Sequence, residues 1–94
     1  MRYIDVIWIN ASSEDPIRIV SEVGDDDFET RKLEFFQDKS IEFASDESSS
    51  KHSMLGSVEI PSLEYINSQD EFIGQEITKF EFEILWEKYV LEKI

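Results

Sequence analysis

The sequence predicts an α+β domain, in which an antiparallel meander of four to five strands carries a short helix and a C-terminal amphipathic helix packed on one face. Three observations point to this class. Apolar residues alternate at period two through the first half and recur at spacings of three and four near the C-terminus. Polar turn clusters punctuate the period-two runs at short intervals. No internal repeat or Gly/Ser linker divides the 94 residues, so residues 1–94 are expected to form a single acidic domain.

Each element follows from its own pattern. Residues 3–9 put Ile4, Val6 and Trp8 on one side and Tyr3, Asp5, Ile7 and Ile9 on the other, as a central strand covered on both faces requires. The polar stretch 10–16 ends in Asp15-Pro16, where proline cannot donate to a ladder. Residues 17–23 supply a second strand, with Ile17, Ile19 and Val23 facing one way and Arg18, Val20 and Glu22 the other. After a turn at Gly24-Asp25-Asp26-Asp27, a third strand is expected over 28–36 with Leu33 and Phe35 on one side. Gln37-Asp38-Lys39-Ser40 then closes a hairpin onto a fourth strand bearing Ile41, Phe43 and Ala44. Residues 45–53 lack any apolar period and are expected to form a mobile loop.

Past that loop the period changes. Pro61 suits the first turn of a short helix that turns Leu63, Tyr65 and Ile66 inward and ends near Asn67. Residues 69–75 read as a connection anchored by Phe72 and Ile73, with a short edge strand at Glu76-Ile77. Thr78 and Glu81 stand at capping-box spacing, so the last helix is expected over 79–93. Its buried stripe is Phe82, Leu85, Trp86 and Tyr89, widened by Phe80, Ile84 and Leu91.

Composition narrows the function. Nine Lys+Arg face twenty-two Asp+Glu, a formal charge of −13, yet 40% of residues are hydrophobic and 13% aromatic, so the chain should fold rather than stay disordered. That charge excludes nucleic acid, which demands clustered cations, and an anionic membrane surface. With no cysteine there is neither a disulfide nor a thiolate metal site, and a single histidine cannot supply a zinc centre. His52 lies in a serine-rich stretch without a group to orient it, and reads as an exposed loop residue rather than a catalytic base. Asp25-Asp26-Asp27 with Glu29 lacks the alternation of a calcium loop, and Gly24, Gly56 and Gly74 are isolated rather than grouped around a phosphate. No catalytic, metal or cofactor residue is assigned, and an enzyme is not expected. The opening Met1-Arg2-Tyr3-Ile4-Asp5 lacks a signal peptide's apolar core, and no run is long enough to span a bilayer. The expected compartment is the cytoplasm.

The placement of the charge is more informative than its sum. Asp25, Asp26, Asp27 and Glu29 crowd one turn without a cation, and Glu42, Asp46 and Glu47 follow in another cation-free stretch. Solubility in a small domain needs a net charge of only about 2 to 8 in magnitude, so the excess favours steering toward a basic partner. These seven acids are the candidate partner-binding residues, with exposed aromatics as anchors.

Several groups of residues resemble a family of small bacterial domains of uncharacterised function. They are Tyr3 with Trp8, Asp15-Pro16, Arg31-Lys32-Leu33-Glu34, Pro61-Ser62-Leu63 with Ile66-Asn67, and Phe82 with Trp86. The resemblance spans nearly the whole chain, implies an α+β fold and transfers no catalytic residue. In length and acidity the chain also resembles the immunity proteins made against contact-dependent-inhibition and colicin-type toxins. That likeness implies a monomer that binds and neutralises a basic toxin domain, with a nuclease as the expected class. The alternative is an acidic adaptor or regulatory module without a toxin partner.

Overall fold

Alternation of apolar and polar residues gives the chain its strands. In the computed structural model, which describes residues 1–50 and 53–92, these are β1 (Arg2–Trp8), β2 (Arg18–Val23), β3 (Glu29–Phe35), β4 (Ile41–Ser45) and β5 (Phe72–Glu76). They form one sheet ordered β4-β3-β2-β1-β5 in which every pairing is antiparallel. Helix α1 (Leu63–Asn67) precedes β5, and α2 (Lys79–Trp86) follows it and continues into a π-helical turn over Glu87–Leu91. His52, expected as an exposed loop residue, and Lys93, the last expected helical residue, lie outside the described residues.

The two helices lie on opposite faces of the sheet, whereas the sequence reading placed both on one. Tyr3, Val20 and Leu33 meet Phe82, Trp86 and Val90 of the C-terminal helix on one side. On the other, Ile4, Val6 and Val23 meet Ile66, with Ile60, Leu63 and Phe72 packed around them. Leu63 and Ile66 would suit either face, so their spacing alone could not decide. Close approach of α1 to β5 depends on Gly74, where a Cβ would stand 2.9 Å from Leu63 Cδ2.

Other boundaries shift for identifiable reasons. Ser62 caps α1, its Oγ accepting from the Tyr65 N–H at 3.2 Å, so Pro61 precedes the cap instead of opening the first turn. Tyr65 is exposed rather than inward. The edge strand begins at Phe72, earlier than the expected Glu76, and Ile73 is exposed on it rather than anchored in the core. Residues 45–50 fold back on β4: Ser45 N–H donates to Ser48 O, and Ser50 N–H to Phe43 O. On the opposite edge, the Asn67 side chain takes both the N–H and the C=O of Gly74, at 2.6 and 2.9 Å.

Both bonds of the Thr78 and Glu81 capping box are present. Beyond α2, Glu92 N–H donates to Glu87 O, five residues back. An α-helix drifts by about 40° between positions four apart, and the wider π turn winds that drift back. Phe82, Trp86 and Val90 all stay on the sheet as a result. Phe80, Ile84 and Leu91, expected to widen the buried stripe, are instead exposed.

Candidate protein interface

The turn after β2 dictates where its aspartates go. Gly24 N–H donates to Phe28 O at 2.8 Å and Asp27 N–H to Gly24 O at 2.9 Å, with Asp27 in the left-handed region at φ 70°. This is a type I turn closed by a bulge, and aspartate tolerates its left-handed position better than most residues. Asp26 Oδ1 accepts from the Phe28 N–H at 3.1 Å. The hairpin between β3 and β4 repeats the design with Asp38 and Lys39. Asp26 and Asp27 therefore build the turn. Asp27 also meets Arg2 at 3.4 Å, and Asp25 accepts from the Met1 amine at 2.6 Å, which holds its carboxyl below the usual carboxylate range.

A second acidic turn closes β4. Ser45 Oγ accepts from the N–H groups of Glu47 and Ser48, leaving Asp46 and Glu47 exposed at the tip. The register pairs Arg2 with Val23, Val23 with Glu29 and Arg31 with Ser45, so the start of β1 and the ends of β2 and β4 share one end of the sheet. Both acidic turns stand there. Between the second turn and the end of the C-terminal helix lies a groove of about 490 Å³, with Asp46 and Glu47 on its rim and Trp86, Val90 and Leu91 on its apolar wall.

Arg31 forms the floor of this groove. Its guanidinium grips Glu22 through Nε at 2.9 Å and a terminal nitrogen at 2.7 Å, and Glu83 at 2.9 and 3.1 Å. It also stacks over the rings of Phe82 and Trp86, 4.8 and 5.1 Å from their centroids. Glu22 is nearly buried, and the Arg31 hydrogen bonds, joined by that of the Thr30 hydroxyl at 2.7 Å, hold its carboxyl down to about 2. Burial and the adjacent Glu22 push the Tyr3 phenol up. One cation between two carboxylates leaves the floor with an excess negative charge.

Arg2, the other guanidinium at this end, is held by the carbonyls of Ile60 and Pro61 as well as by Asp27. Asp46 and Glu47 form no ion pair among the described residues.

Of the seven expected partner-binding acids, the structure gathers Asp25, Asp26, Asp27, Asp46 and Glu47 at one end. Glu29 stands at the same end but is turned onto the α1 face, and Glu42 lies further along β4. Glu29 is buried at the head of β3, accepting from the Gly56 N–H and facing Lys32 at 3.4 Å. Glu42 pairs with Glu34 in the ladder, on the α1 face, and accepts from Ser50 Oγ at 2.6 Å. Sequence reasoning missed Arg31, Glu22 and Glu83 as a unit, and Leu91 as a groove residue. The one available signal was Arg31 itself, a strand cation whose neighbour strand β2 carries a single acid, Glu22.

Residues 2–91 match a family described as a domain of unknown function (DUF6881). The chain belongs to that family. No match was found among curated proteins or solved structures. Among the described residues, no three His, Cys, Asp or Glu side chains are grouped to hold a metal ion, and no helix is long and apolar enough to cross a membrane.

Proposed function

We propose that this domain is a protein-binding module whose acidic groove captures a basic partner, and that it acts in the bacterial cytoplasm as an immunity protein against a basic toxin domain of the nuclease class. One observation carries the reading: two acidic turns, distant in sequence, stand at the same end of the sheet, where both guanidiniums are already engaged by acceptors of the domain itself. Asp26, Asp46 and Glu47, which form no ion pair among the described residues, would steer a cationic partner and would suit lysine and arginine sites built for phosphate. The apolar wall of Trp86, Val90 and Leu91 offers the desolvated contact that sets lifetime once charge has set encounter.

The test is to isolate the partner with the tagged domain and measure association against ionic strength. Association should slow at least about tenfold between low and high salt, and further in Asp46→Lys with Glu47→Lys, while the thermal melt stays unchanged. Salt-insensitive binding would remove the electrostatic element. A second reading, an acidic adaptor without a toxin partner, draws support from Asp26 and Asp27 serving their own turn. A neighbouring reading frame that encodes a basic toxin domain favours immunity, and its absence favours the adaptor.

A further inference from the structure

The inward side of the C-terminal helix is complete, with Phe82, Trp86 and Val90 all buried. Its outward side should then be polar, since a helix docked on a sheet needs only one apolar stripe. It is not. Phe80 is 73%, Ile84 49% and Leu91 57% exposed. Phe80 and Ile84 lie one turn apart on the same side. Leu91, further along, belongs to the wall of the acidic groove. Lys88 continues the line of Phe80 and Ile84, so the exposed apolar residues stand at the two ends of a helix surface that runs from the start of α2 to that groove. At 1.5 Å per residue the surface from Phe80 to Leu91 spans roughly 16 Å, about three helical turns.

We infer that this surface receives a basic amphipathic helix of the partner protein, laid along α2 with its cationic end in the acidic groove. The inference rests on the acidic-groove reading above and adds the form of the element that fills it. Two features select a helix of that charge. Addition of a strand is blocked at the centre of each sheet edge, by Asn67 on Gly74 and by Ser48 and Ser50 on β4. Along this surface stand Glu81, Glu87 and Glu92 with Lys79 and Lys88, Glu83 being held by Arg31, and the carbonyl end of the helix adds partial negative charge beside Asp46 and Glu47, so the acidic end is the groove. A second copy would bring the same glutamates and another −13. Like charge therefore rules against self-association and for a cationic helix.

The experiment uses the full chain and three synthetic peptides of about eighteen residues. One is an amphipathic helix with leucines on one face and lysines and arginines flanking it. The second is a scramble of the same composition, and the third replaces its cations by glutamates. Binding is read by fluorescence anisotropy of the labelled peptide. The basic helix should bind at least tenfold more tightly than either control. Phe80→Ser with Ile84→Ser should weaken it at least tenfold without changing the thermal melt, and Asp46→Lys with Glu47→Lys should weaken it and flatten its salt dependence. Equal binding of scramble and helix, or no effect of the Phe80 and Ile84 changes, overturns the helix inference while sparing the acidic groove. Equal binding of the glutamate peptide overturns the groove and spares the apolar face. Failure of all three to bind overturns both. A dimer in sedimentation velocity that dissociates in Ile84→Ser would give the face to a second copy and overturn the inference as well.

Discussion

The two faces of the sheet are filled by different chemistry. On the α2 face, aromatic rings interlock: Tyr3 with Phe82, Phe82 with Trp86, Phe43 with Trp86, and Phe35 with Tyr89, at centroid separations of 5.3 to 6.0 Å. Two guanidiniums are set against that cluster, Arg31 tied to Glu22 and Glu83, and Arg18 over the Phe35 ring and tied to Asp5. On the α1 face the packing is mainly aliphatic, with one aromatic pair, Trp8 on Phe72 at 5.6 Å, and covers mainly the β1 and β5 side. A cavity of about 250 Å³ remains between Ile4, Ile19, Ser21, Ile66 and the approach to α1. A long helix with large rings can close a face at one stroke, but a five-residue helix cannot. The domain therefore concentrates its stability on the face that also builds the candidate interface.

The sharpest way to break this comparison is to empty each face. Phe82→Ala should cost about 3 to 5 kcal/mol and Ile66→Ala about 2 to 3 kcal/mol, measured by urea unfolding. Equal losses would show that the faces contribute alike. Arg31→Ala should cost about 3 kcal/mol, because it strands Glu22 almost out of water without its cation.

Acid should reveal the same pair. Glu22 titrates at about 2 when folded against 4.5 when free, so its stabilisation is complete above the free value and lost as pH falls from about 4.5 to 2. The loss is on the order of 3 kcal/mol. From pH 7 to 5 stability should instead hold or rise, as protonation relieves self-repulsion. Thermal melts across pH 2 to 7 should show that fall, and Glu22→Gln should flatten it.

Smaller changes should take opposite signs on the two faces. Ser21→Val extends into the cavity and should stabilise by about 0.5 to 2 kcal/mol. Val20→Ile adds a methylene to a fully buried position beside the rings, and should destabilise by about 1 kcal/mol or more. If Ser21→Val also destabilises, the α1 face is as tightly filled as its opposite. Thr78→Ala, which removes the cap of α2, should cost about 1 kcal/mol in the same denaturation measurement.

What the sequence revealed and what it withheld divide by range. The four meander strands and the Thr78 cap depend on neighbours within a few residues, and their signals survive without the fold. The face taken by α1 depends on which side the chain crosses after residue 53, and Leu63 with Ile66 carries no information on that. The acidic turns were legible as charge, but their roles were not. Asp26 and Asp27 serve a backbone geometry that composition cannot separate from a binding loop. The groove floor was hidden because Arg31 reaches Glu22 across nine residues and Glu83 across fifty-two. Phe80, Ile84 and Leu91 carry apolar character but no mark of which side they face, and the period read them as core.

Asn67 has a further consequence. A chain rich in aromatic and β-branched strands is the kind that stacks into fibres when a ladder edge stands open. Here one amide imitates a strand at the middle of β5, and two serines do so along β4. A neighbouring molecule finds no continuous row of free backbone groups on which to template. Fibre growth from the native fold must first dislodge the Asn67 amide or the 48–50 segment, a barrier against polymerisation built into both rims.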